Sequence, residues 1–269
     1  MSIQIASLNS GSNGNCYYIS NEEDAILIDI GITCKEVENR LFRLGLSITK
    51  IRAVFISHEH TDHIKGVKIF SKKYGIPVYF TYATLSSSRI QLNAVNYFTS
   101  DAPVFIGSLK ITAFEKHHDA AHPHSFIIEY NNTCVGVFTD LGIVCDNLVR
   151  HFKMCDAAFL EANYCEEMLK NSRYPYFLKR RISGGKGHLS NNQALQLFKE
   201  HQSPKLQLLL LSHLSKENNS PQLVKELFET ETMNTEIVIA SRECETTVYH
   251  IVNNCLTEEF VSEKQYSLF

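Results

Sequence analysis

The amino-acid sequence predicts an α/β fold of two packed β-sheets with helices on their outer faces, a four-layer αββα sandwich. Three observations carry the prediction. Apolar or alternating runs that read as strands recur along the whole chain. Strands grouped before helices occur twice over, which suits two sheets each covered by helices. Hydrophobic residues make up 44% of the chain and charged residues 20%, so a substantial core is expected and global disorder is not.

The 269 residues suffice for one large domain or two small ones. No repeat or low-complexity stretch divides them, so one domain over residues 1–262 is expected, followed by a tail over 263–269. The net charge of −3 gives no global nucleic-acid signal; such a partner needs a local patch. The eight cysteines form no CxxC pair, which argues against a zinc ribbon and for small core residues. With no signal peptide and no long apolar span, the expectation is a cytoplasmic protein with no membrane segment.

Ile3 to Leu8 and Cys16 to Ile19 read as a hairpin around the turn cluster Asn9 to Asn15. Ala25 to Gly31 reads as a third strand ending in a carboxylate and a glycine, where Asp29 can cap the turn. Thr33 leads a helix through Val37, Leu41 and Leu44, with Gly45 as its stop. Ala53 to Ile56 is a buried strand that stops at Ser57. Four metal-ligating side chains follow within six residues, in His58-Glu59-His60-Thr61-Asp62-His63. Ile64, Val67, Phe70 and Tyr74 then recur at helical spacing up to Gly75, so the ligands occupy a tight strand-to-helix connection. His58 and His60 can face one cation, and Asp62 and His63 a second. Two divalent ions about 3.5–4 Å apart can share a hydroxide that is nucleophilic at neutral pH. Imidazole with carboxylate suits Zn, Fe or Mn.

Ile76 to Phe80 reads as a strand, Thr84 to Leu92 as a helix, and Leu109 to Phe114 and Ser125 to Tyr130 as strands. Between the last two lie His117, His118, His122 and His124, which cannot all be ligands. Cys134 to Gly142 reads as a strand ending in another carboxylate, Asp140, and Ala157 to Leu160 as one followed by Glu161-Ala162-Asn163-Tyr164. A basic stretch then holds Lys170, Arg173, Lys179, Arg180, Arg181 and Lys186, with Tyr174 and Tyr176 interleaved. A solvated face is the plain reading of those charges, and attraction of a phosphate-rich substrate is the functional one. The stretch ends in Gly187-His188-Leu189-Ser190-Asn191, where Ser190-Asn191 can cap a helix. Leu206 to Leu211 is a fully apolar strand ending in Ser212-His213. Pro221 to Phe228 reads as a helix, Glu236 to Ala240 as a strand, and Val248 to Val252 as the last strand.

The run His58-x-His60-x-Asp62-His63 resembles the HxHxDH signature of the metallo-β-lactamase superfamily, and the resemblance extends along most of the chain. It is similar above all to the YycJ/WalJ-type metallo-hydrolases, and more distantly to ribonuclease Z. The resemblance implies the αββα sandwich and two divalent metal ions, Zn or Mn. It implies His58, His60 and His118 on one ion, Asp62, His63 and His213 on the other, and Asp140 between them. His118 is favoured by the His-Asp-Ala pattern followed by Pro123; His122 is its rival. Asp29 is implied as the carboxylate that orients the ligand loop from behind. The EANY and GHLSN segments resemble the glutamate and histidine motifs of ribonuclease Z-like enzymes, in which a Glu orients a His near the scissile phosphate.

These features imply a dinuclear phosphodiesterase, a DNA exonuclease by comparison with that group. A metal-bridging hydroxide would attack, and Glu161 with His188 would assist leaving-group protonation. Asp62 counts among the catalytic residues as well as the ligands. Arg180, Arg181, Lys186, Ser190 and Asn191 are the expected substrate contacts. The alternatives are a hydrolase of thioesters, lactones or cyclic phosphodiesters on the same metals, and a non-catalytic adaptor of the replication machinery. The final Gln265-Tyr266-Ser267-Leu268-Phe269 resembles a sliding-clamp-binding pentapeptide, with Gln265, Leu268 and Phe269 as anchors.

Overall fold

Alternation along the strands explains why the chain builds four layers. Ile26 and Ile28 point to one face of their strand and Ala25 and Leu27 to the other, and all four are fully buried. A strand buried on both sides must lie between two layers. The computed structural model describes residues 2–232, 234–252 and 255–259, the last five as backbone only.

The first sheet opens with β1 (Ile3–Asn9), β2 (Cys16–Ser20), β3 (Ala25–Ile28), β4 (Ile51–Phe55), β5 (Val78–Phe80) and β6 (Val95–Tyr97). The second holds β7 (Val104–Ile106), β8 (Leu109–Glu115), β9 (His124–Tyr130), β10 (Thr133–Phe138), β11 (Ala157–Glu161), β12 (Leu208–Ser212) and β13 (Glu236–Ile239). The chain then returns to the first sheet with β14 (Val248–Val252) and β15 (Cys255–Glu259). The orders are β15-β14-β1-β2-β3-β4-β5-β6 and β13-β12-β11-β10-β9-β8-β7.

Each sheet has an antiparallel part and a parallel part. Strands β3 to β6 run parallel in one sheet and β10 to β13 in the other. Parallel neighbours need crossovers, and helices supply most of them: α1 (Cys34–Arg43), α2 (Thr61–Ile64), α3 (Val67–Tyr74) and α4 (Tyr82–Ser88) on the first sheet, and α5 (Asp146–Phe152), α6 (Glu166–Asn171), α7 (Tyr176–Ser183), α8 (Asn191–His201) and α9 (Pro221–Glu229) on the second. Between the sheets, Tyr17, Ile28 and Phe55 meet Phe126, Phe159 and Leu210. Outside them, Val37, Leu41 and Phe70 cover one sheet, and Leu148, Phe152, Phe198 and Phe228 the other.

Four expectations change. The helix after the histidine motif is two helices, divided at Gly66, whose amide donates to Ile30 O and where a Cβ would lie 2.2 Å from Ile32 O. The helix expected over Thr84 to Leu92 covers Tyr82–Ser88 and stops at the left-handed Arg89. Strands β6 and β7, of three residues each, are too short for alternation to reveal. Val248–Val252 is not the last strand, because β15 pairs beside it. The candidate clamp anchors Gln265, Leu268 and Phe269 lie outside the described residues. Among the described residues no helix is long and apolar enough to cross a membrane.

Candidate metal centre

In a parallel arrangement the C-terminal strand ends share one edge, where open α/β sheets bind ligands. Here that edge gathers Asp29 after β3, Ser57 to His63 after β4, Asp140 after β10, Glu161 at the end of β11 and His213 after β12. Asp29, Asp140 and His213 all adopt left-handed backbone, with φ of 61°, 55° and 56°. Non-glycine residues occupy this region at a cost, and such residues cluster at functional sites.

Asp29 anchors the histidine loop. Its Oδ1 accepts from the Ser57 amide at 2.8 Å, and its Oδ2 accepts from Ser57 Oγ and from His63 Nδ1, both at 2.7 Å. With its proton held on Nδ1, His63 turns Nε2 inward, 3.1 Å from Asp140 Oδ2 and 3.6 Å from Asp62 Oδ2. His118 is oriented the same way: Nδ1 donates to Gly187 O at 3.0 Å, and Nε2 lies 3.3 Å from His60 Nδ1. His58 Nε2 lies 3.1 Å from the same His60 nitrogen. Gly31 lets the loops close together, since a Cβ there would lie 1.6 Å from Asp62 O.

The second sheet completes the cluster. Asp140 Oδ1 lies 3.2 Å from His213 Nδ1 and 3.8 Å from His118 Nε2, so this carboxylate spans both sides of the cluster. Glu161 Oε1 accepts from His188 Nδ1 at 2.8 Å and from His213 Nδ1 at 3.0 Å. Its Oε2 accepts from the amides of Leu141 and Leu189. Burial opposes ionisation of both carboxylates, but the surrounding histidines outweigh it. They hold Asp140 well below the usual carboxylate range and Glu161 down to about 2. Burial lowers His118 to about 4 and holds His58 well below its ordinary range. His63 is held well above it, because Asp140, Asp29 and Asp62 overcome the burial penalty.

The atoms fit a cation. His58, His60 and His118 offer nitrogens within 4.8 Å of one another, as do His58 and His63 with Asp140. Asp140 Oδ2 and His213 Nε2 are buried without a hydrogen-bond partner. Buried polar atoms rarely stay unsatisfied, and the donor set of imidazoles with carboxylates is that of divalent metal sites.

A family model described as "Beta-lactamase superfamily domain" matches residues 25–213, from the first residue of β3 to the last histidine of the cluster. The chain belongs to that superfamily. It is 31% identical over 231 residues to "Exodeoxyribonuclease YycJ" of Bacillus anthracis, covering 84% of this chain and 87% of that protein. It is 30% identical over 223 residues to "Exodeoxyribonuclease WalJ" of Streptococcus pneumoniae, covering 80% and 83%. The metallo-β-lactamase fold protein YhfI from Bacillus subtilis superposes with a TM-score of 0.71 at 17% identity, covering 96% of this chain and 100% of that one. The chain is therefore a metallo-hydrolase with the metallo-β-lactamase fold.

Within this superfamily member all seven expected ligand residues meet at one edge, as do Asp29, Glu161 and His188. Of the two rival histidines, His118 joins the cluster, whereas His122 pairs with Glu115 outside it. The expected substrate contacts fare differently. Lys186 lines a cleft with Lys116, His117 and His118, and Arg180 lies over the Tyr176 ring. Arg181 is bound to Asp119 at 2.6 Å, and Asp119 Oδ1 is 3.3 Å from His118 Nε2. Ser190 and Asn191 are almost fully buried. Ser190 forms a capping box with Gln193, and Asn191 exchanges two hydrogen bonds with Asn219, so both side chains are engaged inside the fold.

Two residues of the superfamily site were not expected. Asn15 is buried with Nδ2 3.1 Å from His63 Nε2 and 3.4 Å from Asp62 Oδ2. Lys116 is buried with Nζ donating to Thr139 O at 2.6 Å. Burial lowers its pKa against the pull of Asp140. The crowding of Asn9, Asn13 and Asn15 into one turn was the available signal for Asn15. A lysine between a strand and a histidine gives none.

Proposed function

We propose that this chain is a dinuclear-metal-dependent phosphodiesterase that acts as an exonuclease on DNA. The observation that carries the reading is the Glu161–His188 pair, 2.8 Å apart beside the metal cluster. The names of the two bacterial relatives, each matched over most of its length, agree with it.

In this reading His58, His60 and His118 would hold one ion, Asp62, His63 and His213 would hold the other, and Asp140 would serve both. Divalent ions, Zn or Mn, would supply an activated water and positive charge for the developing phosphorane. Asp29 fixes a proton of His63 on Nδ1, so Nε2 is the nitrogen that would ligate, an ion there taking the place of the second proton. Asp62, whose side chain is 25% exposed, would be the carboxylate available to accept a proton from the nucleophile. His188 protonates the leaving oxygen. Burial alone would lower the pKa of His188, but Glu161, with Asp140 and Asp119, holds it above its ordinary value. His188 therefore keeps its proton to higher pH than an unperturbed imidazole does, and Glu161 fixes the tautomer. Its side chain is 23% exposed, within reach of a bound strand.

Arg180 and Lys186 contact the substrate backbone, and Arg181 assists less because Asp119 already partners it. Tyr176 and Phe177 at the start of α7 are 74% and 73% exposed, and exposed aromatics beside basic residues suit stacking with unpaired bases.

The test is digestion of end-labelled DNA and RNA with Mn or Zn, beside a thioester panel. Stepwise release of nucleotides from one DNA end is expected. Thioester turnover without phosphodiester cleavage overturns the reading.

A further inference from the structure

We propose that Glu115, His122 and His124 form an additional divalent-cation site, which staples the neck of the loop that carries His118. These residues belong to neither of the two ion positions assigned above.

Their ligand-capable atoms lie within 4.8 Å of one another. Glu115 is the last residue of β8 and His124 the first of β9, and the two are cross-strand partners. The segment between them contains His118 and His122. An ion held here would therefore join both stems of the loop.

The convergence of these atoms and the tautomer of His124 suit a cation. His124 is fully buried, and its Nδ1 lies 3.0 Å from His122 O. A carbonyl can only accept, so the proton sits on Nδ1 and Nε2 presents a lone pair. Ser100 Oγ lies 2.8 Å from that Nε2 and 3.3 Å from Glu115 Oε1. One hydroxyl proton cannot serve both acceptors. His122 Nε2 lies 3.2 Å from the same Glu115 oxygen. Two imidazole nitrogens and a carboxylate oxygen thus converge beside the Ser100 hydroxyl. Two imidazoles and a carboxylate with one further position open is a donor set for zinc and similar ions. Glu115 and His122 are solvent-accessible, which gives the ion a route in.

The bond from Thr84 Oγ1 to His122 O ties the same neck to α4. Filling the site would hold the segment from Lys116 to Ala121 in place, and with it His118. Release of the ion held by His58, His60 and His118 should then slow.

The experiment is equilibrium dialysis of the full chain against buffered zinc, with metal content measured by mass spectrometry and folding checked by circular dichroism. Cobalt exchange under a chelator is followed in parallel. Wild type is compared with Glu115→Gln, with the pair Glu115→Gln/His122→Ala, and with His60→Ala. The Glu115 and His122 side chains are exposed enough for both neck variants to fold. The double variant should bind one equivalent fewer than wild type, Glu115→Gln should bind that equivalent about tenfold more weakly, and both should release cobalt from the main cluster faster. The His60→Ala protein should keep the neck equivalent. This separates failure of the neck site from failure of the main metal reading, since either equivalent can vanish alone. Unchanged stoichiometry and affinity in both neck variants overturns the proposal.

Discussion

Glu161 Oε1 accepts from His188 Nδ1 at 2.8 Å while the same oxygen accepts from His213 Nδ1 at 3.0 Å. One buried carboxylate thus orients the proposed general acid and a proposed metal ligand together. The consequence is a separable pair of variants. His188→Ala should lower kcat by about 10²–10⁴-fold, the usual range for a lost general acid, with metal content unchanged. Glu161→Gln should lower kcat and also weaken metal binding, because His213 loses its partner. Rates and metal content measured on the same preparations check both.

The same contact predicts a pH effect. Glu161 is what raises His188 despite burial, and a raised pKa keeps the acid protonated to higher pH. Activity should therefore fall on the alkaline side as His188 loses its proton. In Glu161→Gln that fall should move to lower pH. The profile of kcat/KM against pH is the measurement, and a fall that stays in place or moves upward removes Glu161 from this role.

Asp29 offers a cleaner test of ligand orientation. Its three hydrogen bonds converge on Ser57 and His63, and it does so from a left-handed backbone. Asn tolerates that backbone, so Asp29→Asn changes the charge while sparing the turn. Metal affinity should fall by about 10–100-fold, as it does when the partner of a ligating histidine is lost. Competition with a chromogenic chelator reads the change.

How much of this was legible in the sequence follows from how local each signal is. His58, His60, Asp62 and His63 sit in one connection, so their joint purpose is visible in six consecutive residues. Asp140 and His213 stand out because each ends a strongly apolar strand. Asn15 reaches the cluster only because β2 lies beside β3, a tertiary fact to which the asparagine-rich turn is a weak local pointer. Ser190 and Asn191 are ambiguous in the sequence because the residue types that bind phosphates also cap helices, and here capping and the Asn191–Asn219 pair engage them. Helix α7 was hidden because no residue in it is buried, so no apolar stripe marked it.

Close approach of backbone predicts a large stability effect at Gly31. Its φ is not left-handed, so the demand is steric: a Cβ would lie 1.6 Å from Asp62 O and 2.5 Å from Asn15 N. Neither is a flexible side-chain end. Gly31→Ala should cost about 3 kcal/mol or more, at the upper end of overpacking effects, and should reduce metal loading. Gly45→Ala is the contrast. It has φ of 66° and nothing within 4 Å, so about 1 kcal/mol is expected from backbone strain with metal loading intact. Chemical denaturation and metal analysis of the two variants separate loop closure from general destabilisation.

The proposed DNA contacts make a prediction that a small-molecule hydrolase would not share. Each phosphate neutralised by Arg or Lys releases counterions, so the affinity for single-stranded DNA falls with salt, with a slope of about 0.7 per contact. Replacing Arg180 and Lys186 together by Ala should reduce that slope by about 1.4. Arg181→Ala should change it by less than either single variant, because Asp119 already neutralises Arg181 at 2.6 Å. A phosphorothioate oligonucleotide that resists cleavage allows binding to be titrated across a salt series with the metals in place. Equal slopes in wild type and the double variant would show that the basic stretch is a solvated face and that the strand runs elsewhere. The stacking role of Tyr176 and Phe177 is then tested independently, since aromatic stacking carries no salt dependence. Their replacement by Ala should weaken binding by about 1–3 kcal/mol per stacked base and leave the slope unchanged.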